Sequence, residues 1–270
     1  MGPAQRLNIE RWDSVEPARP RRWPAAVKVG GIAVAVVAGA ILLLAQLRHT
    51  DARTYTLDGP VDRVVVSVDA GRVEIVGVPG GTGARVVSAR RSLVGAPPAT
   101  TQHVADRVLR VIGVCPGGLV LHCRTDFRIE APAESIVEVV TASADVSVEG
   151  MTASVEVSSR DGALRLNRLG GRSLIAKTAS GAVSAVDIAA TQVDVGAWRG
   201  VTLDLRNVGD SVTVETRKGP VEVTIPDAPY RVRTDSAIGV VKVDVTQNAG
   251  ARRSISVTAP EGDIHVHPPA

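Results

Sequence analysis

Four glycines, Gly162, Gly181, Gly200 and Gly219, follow one another at intervals of 19 residues, and Gly239 and Gly262 continue the series less strictly. A fixed period of about 20 residues means that one structural unit is laid down repeatedly, which is the signature of stacked, solenoid-type architectures. Each unit has the same internal grammar. Seven and five positions before the glycine stand apolar pairs, Val155 and Val157, Leu174 and Ala176, Val193 and Val195, Val212 and Val214, which share one face of a strand. Beyond the glycine the alternation resumes with Leu164 and Leu166, Leu203 and Leu205, Val221, Val223 and Ile225, Val241, Val243 and Val245, then Ile264 and Val266. A hydroxyl residue stands three positions before the glycine in Ser159, Thr178 and Thr216, where it can hydrogen-bond nearby backbone and open a corner. The glycine is expected to close that corner with φ > 0.

Two earlier segments fit the same template. Val64, Val66, Val73 and Ile75 flank Gly71, and Val137, Val139, Val146 and Val148 flank Ala144, which occupies the glycine slot. Between them, over about residues 76–133, Pro79, Gly80, Gly81, Pro97 and Pro98 break the phase, and strands with longer loops are expected. A 19-residue unit holds two strands of about five or six residues and two corners. One such turn buries too little apolar surface to offset the entropy of ordering it, so stability has to come from stacking. The expected fold is therefore all-β, a β-solenoid of two-strand turns. An antiparallel β-sandwich is the alternative, since alternation reports buried faces and not strand partners.

Residues 29–47, VGGIAVAVVAGAILLLAQL, carry no charge, and 19 residues at about 1.5 Å each span a bilayer core. A cleavable signal peptide normally has a shorter apolar region ending near a small-x-small site, which Leu43 and Ala45 do not supply and Thr50 and Ala52 supply only at a distance, so an uncleaved single-pass anchor is expected. Residues 1–28 hold six basic side chains against three acidic ones, which keeps the N-terminus cytoplasmic and places 48–270 outside, in the cell envelope. The basic tail and Trp23 suit anionic headgroups and the interface, and Gly31, Ala35 and Gly39, four apart, allow self-association of the anchor. Removing the tail from the totals of 31 Lys+Arg and 28 Asp+Glu leaves 25 of each, so the outer part is charge-balanced. The pI of about 9.2 therefore gives no argument for nucleic-acid binding.

Cys115 and Cys123 are the two cysteines, separated by a turn containing Pro116, Gly117 and Gly118; in an oxidising compartment they are expected to form a disulfide. Their spacing is not that of a zinc site, and His122 beside Cys123 does not make one. No metal or cofactor is expected. His265 and His267 share a face of the final strand, next to Pro268 and Pro269, and read as a blunted solvent-facing edge. No carboxylate pair or nucleophile and base recurs in one register, so no catalytic residue is assigned and the chain is expected not to be an enzyme. Aromatic residues are scarce in residues 48–270, where Tyr55, Phe127, Trp198 and Tyr230 are the four present. Trp198 occupies a corner slot two before Gly200, beside Arg199, where it serves either as an exposed contact point or as packing for the neighbouring corner.

The short basic tail, the single apolar span, the two-cysteine segment followed by Phe127, Ile129, Ala131 and Pro132, and the repeats TASGAVSAV and TRKGPVEVTI together resemble the putative-adhesin family of bacterial β-strand-repeat membrane proteins over about residues 55–268. Departures are Ala144 in the glycine slot and the stretched spacing before Gly262. The resemblance implies a β-strand-repeat domain without an assigned activity and carries over no site residues. It favours a membrane-anchored interaction or scaffold module that contacts an envelope component or membrane protein; an enzyme acting on envelope polysaccharide and an accessory subunit of a membrane complex are the alternatives.

Overall fold

The alternating apolar residues become strands that pair across the period. The structure is a computed structural model, and it describes residues 49–92, 97–116 and 122–269, the side chains of residues 49 and 50 excepted. The tail 1–28, the apolar segment 29–47 and Gly31, Ala35 and Gly39 lie outside the described residues. Among the described residues no helix is long and apolar enough to cross a membrane. The strands are β1 (His49–Leu57), β2 (Arg63–Val78), β3 (Ala84–Ser92), β4 (Ala99–Ala105), β5 (Val108–Val114), β6 (Arg124–Pro132) and β7 (Ile136–Glu149). They continue as β8 (Val155–Ser159), β9 (Leu164–Leu169), β10 (Ser173–Thr178), β11 (Val183–Ile188), β12 (Gln192–Ala197) and β13 (Val201–Leu205). The last six are β14 (Ser211–Thr216), β15 (Val221–Thr224), β16 (Arg231–Asp235), β17 (Val241–Val243), β18 (Ser254–Thr258) and β19 (Ile264–His267).

From β7 onward every pairing is parallel, and successive turns stack in two ladders. One runs β7, β8, β10, β12, β14, with Val155 opposite Leu174, Leu174 opposite Val193 and Val193 opposite Val212. The other runs β7, β9, β11, β13, β15. Parallel pairing 19 residues apart is the solenoid register and rules out the antiparallel sandwich. The residues predicted to face inward do so: Val155, Val157, Leu164, Leu166, Leu174, Ala176, Val193, Val195, Leu203, Leu205, Val212 and Val214 are all buried in one continuous core.

Two departures from a sequential stack matter. The first lies at the N-terminal end. Over residues 76–133 the chain makes antiparallel pairs, β4 on β5 and β3 on β6, and β1 from before β2 adds to β3 antiparallel, while β5 and β6 themselves pair in parallel with the two halves of β2. A further turn of the solenoid is thus present, with Leu109, Val111, Phe127 and Ile129 buried. It escapes the sequence pattern because a disulfide-closed loop replaces its glycine corner. Cys115 and Cys123 are joined, with Cα atoms 5.9 Å apart, and the Cys115 N–H donates to the Asp69 carboxylate at 2.9 Å. Replacing both cysteines with Ser is expected to cost on the order of 2 kcal/mol without unfolding the stack. An unchanged denaturation midpoint in the double variant, or two alkylatable thiols in protein prepared without reductant, would contradict this.

The second departure is at the other end. β14 pairs with β18, not β16, and β15 pairs with β19, not β17; β16 and β17 then pair with the far sides of β18 and β19. The chain skips one turn, lays down β16 and β17, and returns to fill the gap with its final strands. His265 and His267 therefore do not sit on an edge strand, and Pro268 and Pro269 blunt no edge: β19 is flanked on both sides. His265 Nε2 lies 3.0 Å from Asp244 on the β17 side, and His267 Nε2 lies 3.5 Å from Glu222 on β15. The spatially terminal turn is β16 and β17, which explains why Val241, read as a core position, is 42% exposed.

The corner glycines are used in two ways. Gly71, Gly200, Gly219 and Gly239 have positive φ, as expected, whereas Gly162, Gly181 and Gly262 do not. At those three the need is space alone; at Gly71, Gly219 and Gly239 it adds to the positive φ, since a Cβ there would stand 1.9, 2.1 and 2.2 Å from a backbone oxygen. A Cβ on Gly181 would stand 1.8 Å from the Gly162 carbonyl oxygen, one on Gly162 would stand 2.1 Å from that of Ala144, and one on Gly262 would stand 1.9 Å from that of Gly219. Each turn's corner lies directly on its neighbour's backbone. The hydroxyl three positions earlier behaves as predicted: the Gly181 N–H donates to Thr178 Oγ1 at 3.1 Å, and Thr178 donates to the Gly162 carbonyl at 2.9 Å. The opposite side of the stack carries an ion-pair ladder of the same period, Glu149 with Arg168 and Asp187 with Arg206.

Candidate interaction surface

The corner and the outward face of the first ladder meet in an open groove of about 790 Å³. Registered pairing lines up one outward row across it: Val140 on β7, Ser158 on β8, Lys177 on β10, Gly196 on β12, Glu215 on β14 and Thr258 on β18. Six strands at about 4.8 Å spacing give the row a length of roughly 24 Å. At Gly196, which lines the groove, the row has no side chain between Lys177 and Glu215. No conformational need explains this glycine. Its φ is not positive, and a Cβ there would meet only the Lys177 Cγ at 3.5 Å, an ordinary contact.

Chemistry on the walls is mixed. Lys177 Nζ lies 2.7 Å from Asp194, and that carboxylate, first by hydrogen bonding and then by charge, holds the ammonium above the usual lysine range. Thr141, Ser159, Thr178 and Thr216 form a buried hydroxyl row beneath the corner rim, with Thr141 donating to Ser159 Oγ at 2.9 Å. Arg160 and Arg217 stand on the rim.

Trp198 is on the same corner and is 43% exposed, with the Arg217 guanidinium 5.6 Å from its ring centroid. The indole packs on the neighbouring corner through a cation–π contact and still leaves part of its surface open to solvent. Its partner is Arg217 on the next turn. Arg199, the neighbour singled out in the sequence, is exposed and has its N–H committed to the Gly181 carbonyl at 3.0 Å. The turn carrying Trp198 is also one residue shorter at this corner: Gly200 is followed directly by β13, and it is Arg199 whose carbonyl faces Gly219. Lys177, Gly196 and Glu215 were missed by sequence reading. The available signal was that Gly196 breaks the outward polar pattern while lying off the corner ladder.

A second hollow of about 460 Å³ lies beside the disulfide, lined by Arg91, Ser92, His122, Cys123 and Arg124. Asp126 neutralises part of its charge, pairing with Arg124 at 2.9 Å and Arg91 at 3.7 Å.

No protein-family model matches the chain, and no curated protein matches it in sequence. Its fold has solved counterparts. A putative adhesin from Bacteroides fragilis aligns with 82% of this chain and 97% of its own at 11% identity and a TM-score of 0.51. A putative adhesin from Parabacteroides distasonis aligns with 80% of this chain and 96% of its own, at 11% identity and a TM-score of 0.45. A putative lipid binding protein from the same species aligns with 82% and 97%, at 9% identity and a TM-score of 0.41. The first of these likenesses establishes a shared all-β, mostly parallel architecture.

Proposed function

We propose that the chain is a membrane-anchored, non-enzymatic interaction module of the bacterial cell envelope, adhesin-like in use, which holds its partner along the groove and corner bounded by Lys177, Gly196, Glu215 and Trp198. The observation that carries this is the pairing of a side-chain gap at Gly196 with a half-exposed indole on the adjoining corner. A large rigid aromatic held in place by Arg217 offers contact area at little entropic cost. The groove runs across the turns, so it suits an extended partner lying along the stack axis. The putative-adhesin description of the Bacteroides fragilis structure agrees with this use. The apolar segment 29–47 supplies the anchor and the basic tail 1–28 its cytoplasmic side.

The test is capture of envelope material by the full chain from detergent-solubilised membranes, comparing Gly196→Leu and Trp198→Ala with the parent. Leu at 196 fills the groove without meeting backbone, so capture is expected to fall at least about tenfold at unchanged melting temperature. Trp198→Ala is expected to act in the same direction, with a stability change below about 1 kcal/mol because the indole is only partly buried. Undiminished capture by both variants would remove the groove from the function. Cleavage of an envelope polysaccharide by the clean protein would overturn the non-enzymatic assignment.

A further inference from the structure

The two ends of the stack are not alike. At the N-terminal end the ladders finish in antiparallel strands, β4 on one and β1 on the other, rich in Thr, His, Gln and Arg. At the other end the ladders stop at β16 and β17, whose outer edges carry no further strand; only Tyr230, just before β16, is covered there, by a parallel bridge to Gln247. Hydrogen bonds show which backbone groups are left over. The Arg231 N–H donates to Arg253, and the Asp235 carbonyl accepts from Ala259, so the odd residues of β16 face β18, leaving the amide and carbonyl of Val232 and Thr234 on the free edge. In β17 the Val240 carbonyl accepts from Ile264 and the Asp244 N–H donates to Val266, which leaves Val241 and Val243 on the edge. The same end holds, among the described residues, the two most exposed large apolar side chains, Ile238 at 72% and Val240 at 70%. An open pair of edges closing a hydrophobic core is the arrangement that proteins normally cover.

We infer that this end is covered by a second copy of the same chain, tail to tail about a two-fold axis. A partner must satisfy two strand edges at once, at the separation of β16 and β17, and the other end of this molecule is polar and antiparallel. Another copy of the same end meets the requirement. Charge fixes the register. With the axis through Thr234, the two Thr234 residues exchange N–H to carbonyl bonds, Val232 faces Ser236 of the second copy, and Arg233 stands opposite Asp235 twice, in the closer, non-hydrogen-bonded type of pair. Among the described residues neither Arg233 nor Asp235 has an ion-pair partner within the chain. The interface is isologous and therefore closes as a dimer without growing into a fibre. Because β1 lies at the opposite end of the stack, the N-terminal sides of the two copies point away from each other. On the anchored assignment proposed above, on which this one step rests, the dimer joins two membranes.

Mass measurement of the full chain in detergent micelles by light scattering is expected to give a dimer of chains. Asp235→Arg and Arg233→Asp should each weaken it about tenfold or more, because two opposite-charge contacts become like-charge. Combining the two swaps should restore the dimer, a rescue that a fold defect or association through the apolar segment would not give. Thr234→Pro removes only an edge N–H and should also yield monomers, with melting unchanged. A monomeric parent, a dimer indifferent to all these changes, or open-ended head-to-tail assemblies would each overturn the inference. Vesicles carrying the full chain should cluster, and those carrying Asp235→Arg should not. A dimer in micelles without vesicle clustering would leave the edge contact standing and refute the anchored assignment.

Discussion

Gly181→Val is expected to lower stability by about 3 kcal/mol, at the upper end of overpacking effects. The new Cβ would stand 1.8 Å from the Gly162 carbonyl oxygen, and no side chain can move aside because the obstacle is backbone. Either the two turns separate or the corner tilts. Both outcomes loosen the Gly181 N–H bond to Thr178 and the bonds that Trp198 and Arg199 donate to the Gly181 carbonyl at 3.2 and 3.0 Å. For a domain of this size the melting midpoint should fall by roughly 6–12 °C. Gly200→Val should cost about 1–3 kcal/mol, chiefly through the positive φ of 135° at that corner, with a milder approach of the Cβ to the Pro220 carbonyl oxygen at 2.9 Å. Gly250→Val is the control. Its nearest neighbour would be the Asn248 Oδ1 at 3.4 Å, so the change should stay within about 0.5 kcal/mol. Thermal denaturation of the three variants side by side decides the matter, and equal losses at all three would refute the stacked-corner account.

Deleting residues 251–270 is expected to do more damage than removing one terminal turn of a sequential solenoid. In a sequential stack the loss would shorten the ladder by a unit and leave the rest intact. Here β18 and β19 lie between β14 and β15 on one side and β16 and β17 on the other. Their removal uncovers Val212, Val214, Val221 and Val223 and leaves β16 and β17 with no strand to pair with. Amide exchange in the truncated chain should therefore become fast over residues 230–248 as well as at the new end, and the protein should be prone to aggregate through the exposed edge. Protection retained over Arg231–Asp235 after truncation would show that the inserted turn is not what holds it.

Much of the architecture is legible in the amino-acid order because the solenoid repeats its constraints. Leu174, Val193 and Val212 are each apolar for the same reason, and period and alternation report that reason directly. The same holds for Thr178 and Gly181, whose hydrogen bond matches the corner inferred from their spacing. Where a turn is built differently the signal fails. The turn of β5 and β6 uses a disulfide loop in place of a glycine corner, so Leu109, Val111, Phe127 and Ile129 belong to the core without belonging to the visible ladder. The candidate surface was half legible: Trp198 stands out as the one aromatic at a corner, while the groove beside it does not, because a gap at Gly196 acquires meaning only once Lys177 and Glu215 are known to flank it.

By itself, then, the chain determined which residues face inward, how long a turn is, where its corners fall and which cysteines meet, since each of these depends on local spacing or on chemistry repeated every 19 residues. The order in which turns stack was decided by tertiary structure alone. A parallel turn presents nearly the same row of valines and isoleucines to either neighbour, so nothing in the pattern of Ile255, Val257, Ile264 and Val266 says that they lie next to Val212 and Val221 with Val232 and Val241 beyond. The same is true of the glycines. Sequence marks the corner, but whether Gly181 is required by its φ or by a carbonyl oxygen 1.8 Å from where its Cβ would be depends on how closely the adjacent turn approaches, a distance set by the whole stack and written in no single repeat.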